Sequence, residues 1–277
     1  MIDFTIPEEA KAVRDKVRAF VQSECHPAEE TCTADNFDET MAGLRGKARA
    51  QGLWCPFIPV EHGGMGLRPL ANALVQMELG ESPLGALSLN TQGPDDATML
   101  TLLEHGTEFQ KETFLKPLLN VEKRIFYSMT EKAAGADATG MQTTAVLEGD
   151  EWVLNGEKWF SSSASVADIA VVMAKTDPDA PRHEQYSTFI VELPNPGYEI
   201  VRNIETMQPH TALGLKLGGS HSEIKIDNLR VPRENILGGQ GQGFNMGQHR
   251  LAYGRLRHGM HNVAMAQRAL DLAAKHL

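Results

Sequence analysis

Two segments in the middle of the 277-residue chain constrain its fold most strongly. The first, residues 127–138, reads YSMTEKAAGADA and joins an apolar start to hydroxyl, acidic and small residues. The second, residues 152–161, reads WVLNGEKWFS and has Asn155-Gly156 between two strand-like runs. Because Asn-Gly between such runs is a strong hairpin signal, we predict a β-hairpin with its turn at residues 155–156.

The residue types in these segments suit a flat aromatic cofactor with polar edges. A small-residue loop lets the backbone approach a ligand closely, and Trp159 offers a flat apolar surface. Hydroxyl and backbone N–H groups offer donors to the heteroatoms of such a ring. Either segment alone would also fit an ordinary hairpin with a buried tryptophan, but the two in this order favour a cofactor site.

The same residues resemble the acyl-CoA dehydrogenase family of flavoproteins. Residues 127–137 are similar to its aromatic-x-x-Thr-Glu-Pro-x-Ala-Gly-Ser-Asp loop, and residues 155–161 to its Asn-Gly-x-Lys-Trp-x-Ser/Thr strand. Lys132 and Ala136 depart from the pattern, since the family usually has Pro and Ser there. The segment GRLRHGMHNVAMAQRAL, with Arg182-His183, resembles the subgroup of family members 10 and 11.

Composition narrows the possible partners. The net charge of −10 argues against a general nucleic-acid surface, which is usually basic. No apolar run is long enough for a transmembrane helix, and the N-terminal sequence lacks the basic start and apolar core of a signal peptide. Cys25, Cys32 and Cys55 fit no metal-ligand spacing, so we expect reduced thiols and a cytoplasmic location.

The hydrophobic pattern predicts an α+β chain with three parts. Residues 1–122 have helical periodicity, for example at residues 95–104, and form an N-terminal helical domain. Residues 123–235 contain short apolar runs bounded by turn residues, which indicates a central antiparallel, barrel-like β domain. The run at residues 169–174 is apolar throughout and predicts a central strand. Residues 236–277 form the start of a C-terminal helical domain, in which one long helix follows a glycine-rich break.

The resemblance implies that this last helix is the first of a four-helix bundle. One helix cannot bury its own apolar face, which contains Leu251, Met260, Val263 and Leu270. We therefore expect a fragment, a split gene product, or a chain that another polypeptide completes. The resemblance also implies a homo-oligomer.

The resemblance assigns residues to two ligands. The expected FAD contacts are Tyr127, Met129, Thr130, Trp159 and Ser161. The expected contacts to an acyl-CoA substrate are Ala136, Asp137 and Arg255. Since Ala136 has no hydroxyl, one substrate hydrogen bond is expected to be missing or made by backbone. Asp137 would equally fit a turn-capping role.

No catalytic base can be assigned from the sequence. Most family members place the catalytic Glu in a part of the terminal domain beyond this sequence, and a minority place it directly before the helix arginine, where this chain has Gly254. Glu131 is not assigned as the base merely because it lies nearby. His258 and His261 could reach one metal ion, but no carboxylate or cysteine pattern accompanies them, so no metal site is expected.

The resemblance implies an FAD-dependent acyl-CoA dehydrogenase that oxidises the α,β-bond of a CoA thioester, as in fatty acid metabolism. An electron-transfer flavoprotein or similar protein would accept the electrons. Two alternatives remain open. One is a flavoenzyme of the same fold that uses oxygen, and the other is a non-catalytic flavin- or CoA-binding or scaffold protein.

Overall fold

The computed structural model describes residues 5–207 and 211–276. These residues form two compact units. One consists of Met1–Gly93 with Ala252–Leu277, and the other consists of Pro94–Leu251.

The first unit is helical. Its helices are α1 (Glu8–Phe20), α2 (His26–Thr31), α3 (Phe37–Ala50), α4 (Pro69–Leu79) and α5 (Gly85–Ser88), with a π-helical turn at Val21–Cys25 between α1 and α2. Val17 and Phe20 are buried on one face of α1, as their helical spacing predicts. Arg18 on the same helix pairs with both carboxylate oxygens of Glu78 in α4, at 2.7 and 2.9 Å.

The second unit begins with helices and continues as a sheet. Its helices are α6 (Asp95–His105), α7 (Glu108–Gln110), α8 (Lys116–Leu119) and α9 (Ala212–Lys216), with a π-helical turn at Lys111–Leu115. Its strands are β1 (Ile125–Ser128), β2 (Thr144–Glu148), β3 (Glu151–Ser162), β4 (Ile169–Lys175), β5 (Tyr186–Glu192), β6 (Tyr198–Asn203), β7 (His221–Pro232) and β8 (Ile236–Leu237). The switch from helices to strands follows the change of hydrophobic pattern predicted near Lys123.

The eight strands form one mixed sheet in the order β6-β7-β3-β2-β4-β5-β8, with β1 paired to β4. Most pairs are antiparallel, but β1 and β2 pair parallel to β4. Within the described residues, β6 and β8 do not pair with each other, so the sheet is open. The α+β class is thus confirmed, while the purely antiparallel, barrel-like arrangement is replaced by an open mixed sheet.

The predicted central strand is confirmed. Ile169–Ala174 of β4 are all fully buried, as expected for an apolar run without alternation. The strand pairs with β5 along its whole length and with β1 on its other edge. β1 is thereby fixed inside the unit, and the loop that follows it starts from a rigid position.

The predicted hairpin exists, but its turn is elsewhere. β2 and β3 are joined by the two residues Gly149-Asp150, while Asn155 and Gly156 lie inside β3. Gly156 has φ +150° and marks a register shift against β7, which is a β-bulge. The prediction of a turn at residues 155–156 is therefore wrong, because the glycine serves a bulge and a close backbone approach within one long strand.

The predicted terminal helix is α10, which spans Gly243–His276. Leu277, its predicted last residue, lies outside the described residues. In the first unit, the α10 residue Ala264 is buried beside Gly80, and His261 hydrogen-bonds Gln76 at 3.0 Å. Other apolar α10 side chains are exposed, namely Leu256, Val263, Met265, Leu270 and Leu272. Among the described helices, α10 included, none is both long and apolar enough to cross a membrane.

Candidate functional site

The two sequence segments meet directly at the end of β1. The N–H of Trp159 in β3 donates a hydrogen bond of 2.7 Å to the carbonyl of Thr130, two residues after β1 ends. Main-chain pairing therefore fixes the loop against the tryptophan strand. The structure brings Thr130 and Trp159 together, as a shared cofactor site requires.

Both side chains remain available to a ligand. Thr130 and Trp159 are each half-buried. Among the hydrogen bonds of the described residues, none involves the Thr130 hydroxyl or the Trp159 indole N–H. A free hydroxyl beside a flat indole surface is the combination that a flavin ring with polar edges can use.

Charged side chains surround the indole of Trp159. The Lys132 ammonium lies 4.9 Å from the ring centroid, and the Arg202 guanidinium lies 5.5 Å from it. Glu223 pairs with both cations, at 2.8 Å from Arg202. These hydrogen bonds, with that from Lys132 the strongest, hold the pKa of Glu223 below its usual range. Lys132 also lies 3.9 Å from the Glu157 carboxylate, so two carboxylates balance the two cations beside the tryptophan. Lys132, the departure from the family's proline, supplies one of these cations.

The Ser161 side chain is buried, whereas the Trp159 side chain is half-buried. A second bulge in β3, where Phe160 has φ +52°, turns the Ser161 side chain into the sheet. There its hydroxyl lies 2.7 Å from that of Ser128, which is itself 3.2 Å from the Tyr198 hydroxyl. Burial raises the pKa of Tyr198. Any flavin contact from Ser161 would therefore come from its backbone, since the buried network uses its hydroxyl.

Tyr127 and Met129 support the site from inside. The Tyr127 ring is buried with the Arg250 guanidinium 4.5 Å from its centroid, and its hydroxyl lies 3.5 Å from that of Thr188. Burial raises the pKa of Tyr127. The Met129 side chain packs on a buried cluster that includes Met141. These side chains anchor the loop, so a ligand contact at Met129 would be made by its backbone.

A buried ion pair under the loop was missed in the sequence. Lys158 and Glu131 are both almost completely buried, with 2.8 Å between Nζ and Oε1. Lys158 also donates to the Met129 carbonyl at 3.0 Å, and Glu131 accepts the backbone N–H groups of Gln142 and Thr143. The alternation of inward- and outward-facing residues in β3 could have indicated that Lys158 points inward, because its two neighbours in the strand face outward.

Burial acts on the pKa values of these two side chains in opposite directions, because it disfavours the charged form of each. Burial lowers the pKa of Lys158 to about 8, although Glu131 acts against this shift. Burial acts to raise the pKa of Glu131, but the Lys158 ammonium and the N–H donors outweigh it and keep the pKa low. Glu131 is therefore an ionised structural carboxylate with all its partners in place. Its three hydrogen-bond donors and its low pKa make it a poor base.

Asp137 has the capping role that the sequence left open. Its carboxylate accepts from the N–H and hydroxyl of Thr139, at 2.9 and 2.6 Å, and so caps the short 3₁₀ turn Ala138–Gly140. Arg182 pairs with the same carboxylate at 2.6 Å. The Thr139 hydrogen bonds, followed by Arg182, lower the pKa of Asp137. Ala136 beside it is exposed, so its backbone is open to a ligand.

Arg255 and the histidines lie on the part of α10 that belongs to the first unit. Arg255 is exposed and makes no hydrogen bond or ion pair to other described residues. His258 lies 3.3 Å from the Arg257 guanidinium, while His261 bonds Gln76. Burial and the Arg257 charge lower the pKa of both histidines, that of His261 to about 4. The adjacent guanidinium disfavours a metal cation at this pair.

Comparison with known proteins agrees with the fold. The profile "Acyl-CoA dehydrogenase, N-terminal domain" matches residues 7–122, and "Acyl-CoA dehydrogenase, middle domain" matches residues 127–228. The chain belongs to the acyl-CoA dehydrogenase family. Within that family, relatives named acyl-CoA dehydrogenase family members 10 and 11 match 91% to 97% of the chain, which confirms the predicted subgroup.

Three known proteins illustrate the similarity. Acyl-CoA dehydrogenase family member 10 of Mus musculus is 35% identical over 91% of this chain. A glutaryl-coenzyme A dehydrogenase in complex with glutaryl-CoA is 29% identical over 99% of the chain, with a TM-score of 0.80. A Bacillus anthracis acyl-CoA dehydrogenase in complex with FAD is 28% identical over 99%, with a TM-score of 0.77. The chain spans 25%, 67% and 45% of these proteins, respectively.

Proposed function

We propose that the chain is the flavin-binding part of an FAD-dependent acyl-CoA dehydrogenase. The observation that carries the proposal is the free Thr130 hydroxyl beside the accessible Trp159 indole, held together by the hydrogen bond from Trp159 N–H to Thr130 C=O. Family membership and the FAD complex of a similar protein support it. Bound FAD would supply the hydride acceptor for oxidation of the α,β-bond of an acyl-CoA thioester.

The residues of this chain would bind and orient rather than react. The Thr130 hydroxyl and the backbone at residues 129 and 161 would donate to or accept from the flavin edge. Ala136, Asp137 and Arg255 remain proposed substrate contacts. For Asp137 the contact would have to coexist with its capping bonds and its pairing with Arg182.

The proposed partners follow from the same reaction. An acyl-CoA is the substrate, and a protein such as an electron-transfer flavoprotein accepts the electrons. A homo-oligomer is proposed because exposed apolar side chains continue along α10, for example Leu270, which is 63% exposed. Burial of such a side chain is worth roughly 1.5–3 kcal/mol, so an interface on this face would be stabilising.

Flavin binding is the direct test of the proposal. We expect the purified chain to bind FAD and Trp159→Ala to weaken the binding by about fivefold or more, because an aromatic contact contributes about 1 kcal/mol beyond its buried area. Titration followed by flavin fluorescence measures the affinity, and the loss of a quenching neighbour should brighten the bound flavin.

The matched control for this test is Phe109→Ala, which removes another exposed aromatic side chain from the same unit. It should leave the affinity unchanged. A folded chain that gives no spectral change with FAD would refute the flavin site. Equal affinity for Trp159→Ala and Phe109→Ala would remove Trp159 from it.

Turnover should be low because the chain offers no assigned base. The FAD-loaded chain mixed with octanoyl-CoA and an artificial acceptor should turn over slowly. By resemblance, Gly254→Glu places a carboxylate where some family members have their base, and a Cβ at Gly254 meets no atom within 4 Å. General base catalysis is worth about a hundredfold or more, so this variant should be faster by a similar factor.

Gly259→Glu is the control, since it adds a carboxylate on the same helix at a position with equally open space. It should not raise the rate. Fast turnover by the unaltered chain would mean that a base is present in residues 1–277. Rapid reaction of the reduced flavin with oxygen would instead favour the oxygen-using alternative, and FAD binding without turnover in any variant would favour a non-catalytic role.

A further inference from the structure

We propose that Glu104, His105 and His249 form a binding site for a divalent transition-metal ion. Glu104 and His105 end α6, and His249 lies near the start of α10, so the fold joins residues that are far apart in the sequence. One donor atom from each of the three lies within 4.8 Å of the others. All three residues belong to the second unit.

The His105 ring supplies an independent reason to expect a ligand. Its Nε2 atom is buried, and among the described residues it has no hydrogen-bond partner. The nearest carboxylate oxygen, Oε2 of Glu104, is 3.7 Å away, which is too long for a hydrogen bond. Because buried polar atoms are normally paired, an orphaned imidazole nitrogen facing a carboxylate calls for an explanation. A metal ion would accept its lone pair.

The donor set identifies the class of ion. Two imidazole nitrogens with one carboxylate oxygen form a set that suits Zn²⁺, with bonds of about 2.0–2.2 Å. Imidazole also suits Co²⁺, Ni²⁺ and Cu²⁺, whereas Mg²⁺ and Ca²⁺ prefer oxygen donors alone. Three protein ligands leave a fourth position for water or another small ligand.

The geometry needs only a local adjustment. Donor atoms around a tetrahedral zinc ion are about 3.4 Å apart, so the three atoms would have to approach by roughly 1 Å. Glu104 and His249 are both exposed at the surface, so their side chains can rotate at little cost. The less mobile partner is His105, which is half-buried.

The segment after β8 packs beside His105. Gly238, directly after β8, has φ +68°, and a Cβ at this position would lie 3.4 Å from Cβ of His105 and 2.6 Å from the Met246 sulfur. The backbone therefore passes within van der Waals distance of the histidine, and a side chain at position 238 would clash with Met246. A bound ion would tie the end of α6 to α10, and its expected effect is to stabilise the second unit.

Metal titration of the chelator-treated full chain tests the site. We expect one equivalent of Zn²⁺ to bind in calorimetry and to raise the thermal unfolding midpoint, while Mg²⁺ does neither. Co²⁺ should bind at the same site and give visible absorption bands of an imidazole-ligated ion. His249→Gln should weaken Zn²⁺ and Co²⁺ binding by at least tenfold, and because His249 is exposed, this variant should fold normally.

His62→Gln is the matched control, since His62 is an exposed histidine outside the cluster. It should leave the affinity unchanged. Glu104→Gln should weaken binding in the same direction as His249→Gln. Absence of Zn²⁺ binding, or binding that survives His249→Gln but is lost in His258→Gln, would overturn the proposal. The outcome is independent of FAD binding, because the three residues have no part in the proposed flavin site.

Discussion

Lys158→Met should lower the free energy of unfolding by about 3–5 kcal/mol, since it leaves the Glu131 carboxylate buried without its cation. The two side chains are 0% and 2% exposed, so water cannot replace the lost partner. The Met129 carbonyl, which accepts from Lys158 at 3.0 Å, loses its donor as well. Denaturant unfolding of the full chain, followed in the transition of the sheet-containing unit, measures the effect.

Lys225→Met is the matched control. Lys225 pairs with Asp227 at 3.1 Å, but both side chains are more than half exposed, so the pair contributes at most about 1 kcal/mol. A loss for Lys158→Met as small as that for Lys225→Met would contradict the role assigned to the buried pair. Glu131→Gln should also destabilise strongly, because it leaves the Lys158 ammonium buried and unpaired.

The same pair gives a pH dependence with a definite sign. The pKa of Glu131 in the folded chain lies below its ordinary value of 4.5, so its contribution to stability is complete above about pH 4.5. That contribution is lost as the pH falls through the lowered folded-state pKa. In Lys158→Met the cation is absent, the Glu131 pKa rises, and acid should destabilise this variant less than it destabilises the unaltered chain.

The pair also links stability to the proposed flavin site. Glu131 bridges Lys158 to the backbone N–H groups of residues 142 and 143, and its own backbone pairs with Ala134 across the small-residue loop. The Lys158 ammonium and the Glu131 carboxylate thus stabilise the buried side of the loop that contains Thr130. We therefore expect FAD affinity to fall in Lys158→Met even under conditions in which the variant is folded.

The sequence predicted the elements well because their signals are local. The helical periodicity of residues 95–104 and the apolar run at residues 169–174 depend only on neighbouring residues, and both elements form as expected. The flavin motifs likewise predicted that Thr130 and Trp159 belong to one site. The main-chain hydrogen bond between them confirms that the two residues are neighbours.

The features that the sequence did not predict depend on contacts between distant residues. Alternation alone would place Lys158 and Phe160 on one face, but the bulge at Phe160 buries Ser161 instead. The Glu131–Lys158 pair and the cluster around His249 join separate elements, so no residue spacing in the sequence predicts these contacts. In the sequence, only His258 and His261 were considered as metal ligands, because they are close along the helix, and no metal site was expected.

The incorrect prediction of a turn at residues 155–156 also results from contacts between residues that are distant in the sequence. A glycine after asparagine signals positive φ, which both a tight turn and a bulge require. Two features favour the bulge over the turn. Thr143 lies beside Gly156, and Gly149-Asp150 already closes the hairpin. Neither constraint can be read from the two residues themselves.

Gly156→Ala should therefore destabilise the chain by roughly 2–5 kcal/mol, combining backbone strain with overpacking. A Cβ at this position would lie 2.5 Å from Oγ1 and 2.7 Å from Cα of Thr143, and the φ of +150° disfavours any side chain. Thr143 cannot move away freely, because its N–H donates to Glu131 and its hydroxyl to the Glu157 carbonyl.

Two further glycine variants separate the causes of this loss. Gly149→Ala has a positive φ of +64° but no atom within 4 Å of the new Cβ, so only strain of about 1 kcal/mol is expected. Gly135→Ala has neither feature and should be nearly neutral. If Gly156→Ala is no worse than Gly149→Ala in denaturant unfolding, the close approach to Thr143 is not a constraint. A larger loss, together with weaker FAD binding, would show that the bulge at Gly156 sets the position of Trp159, three residues further along β3.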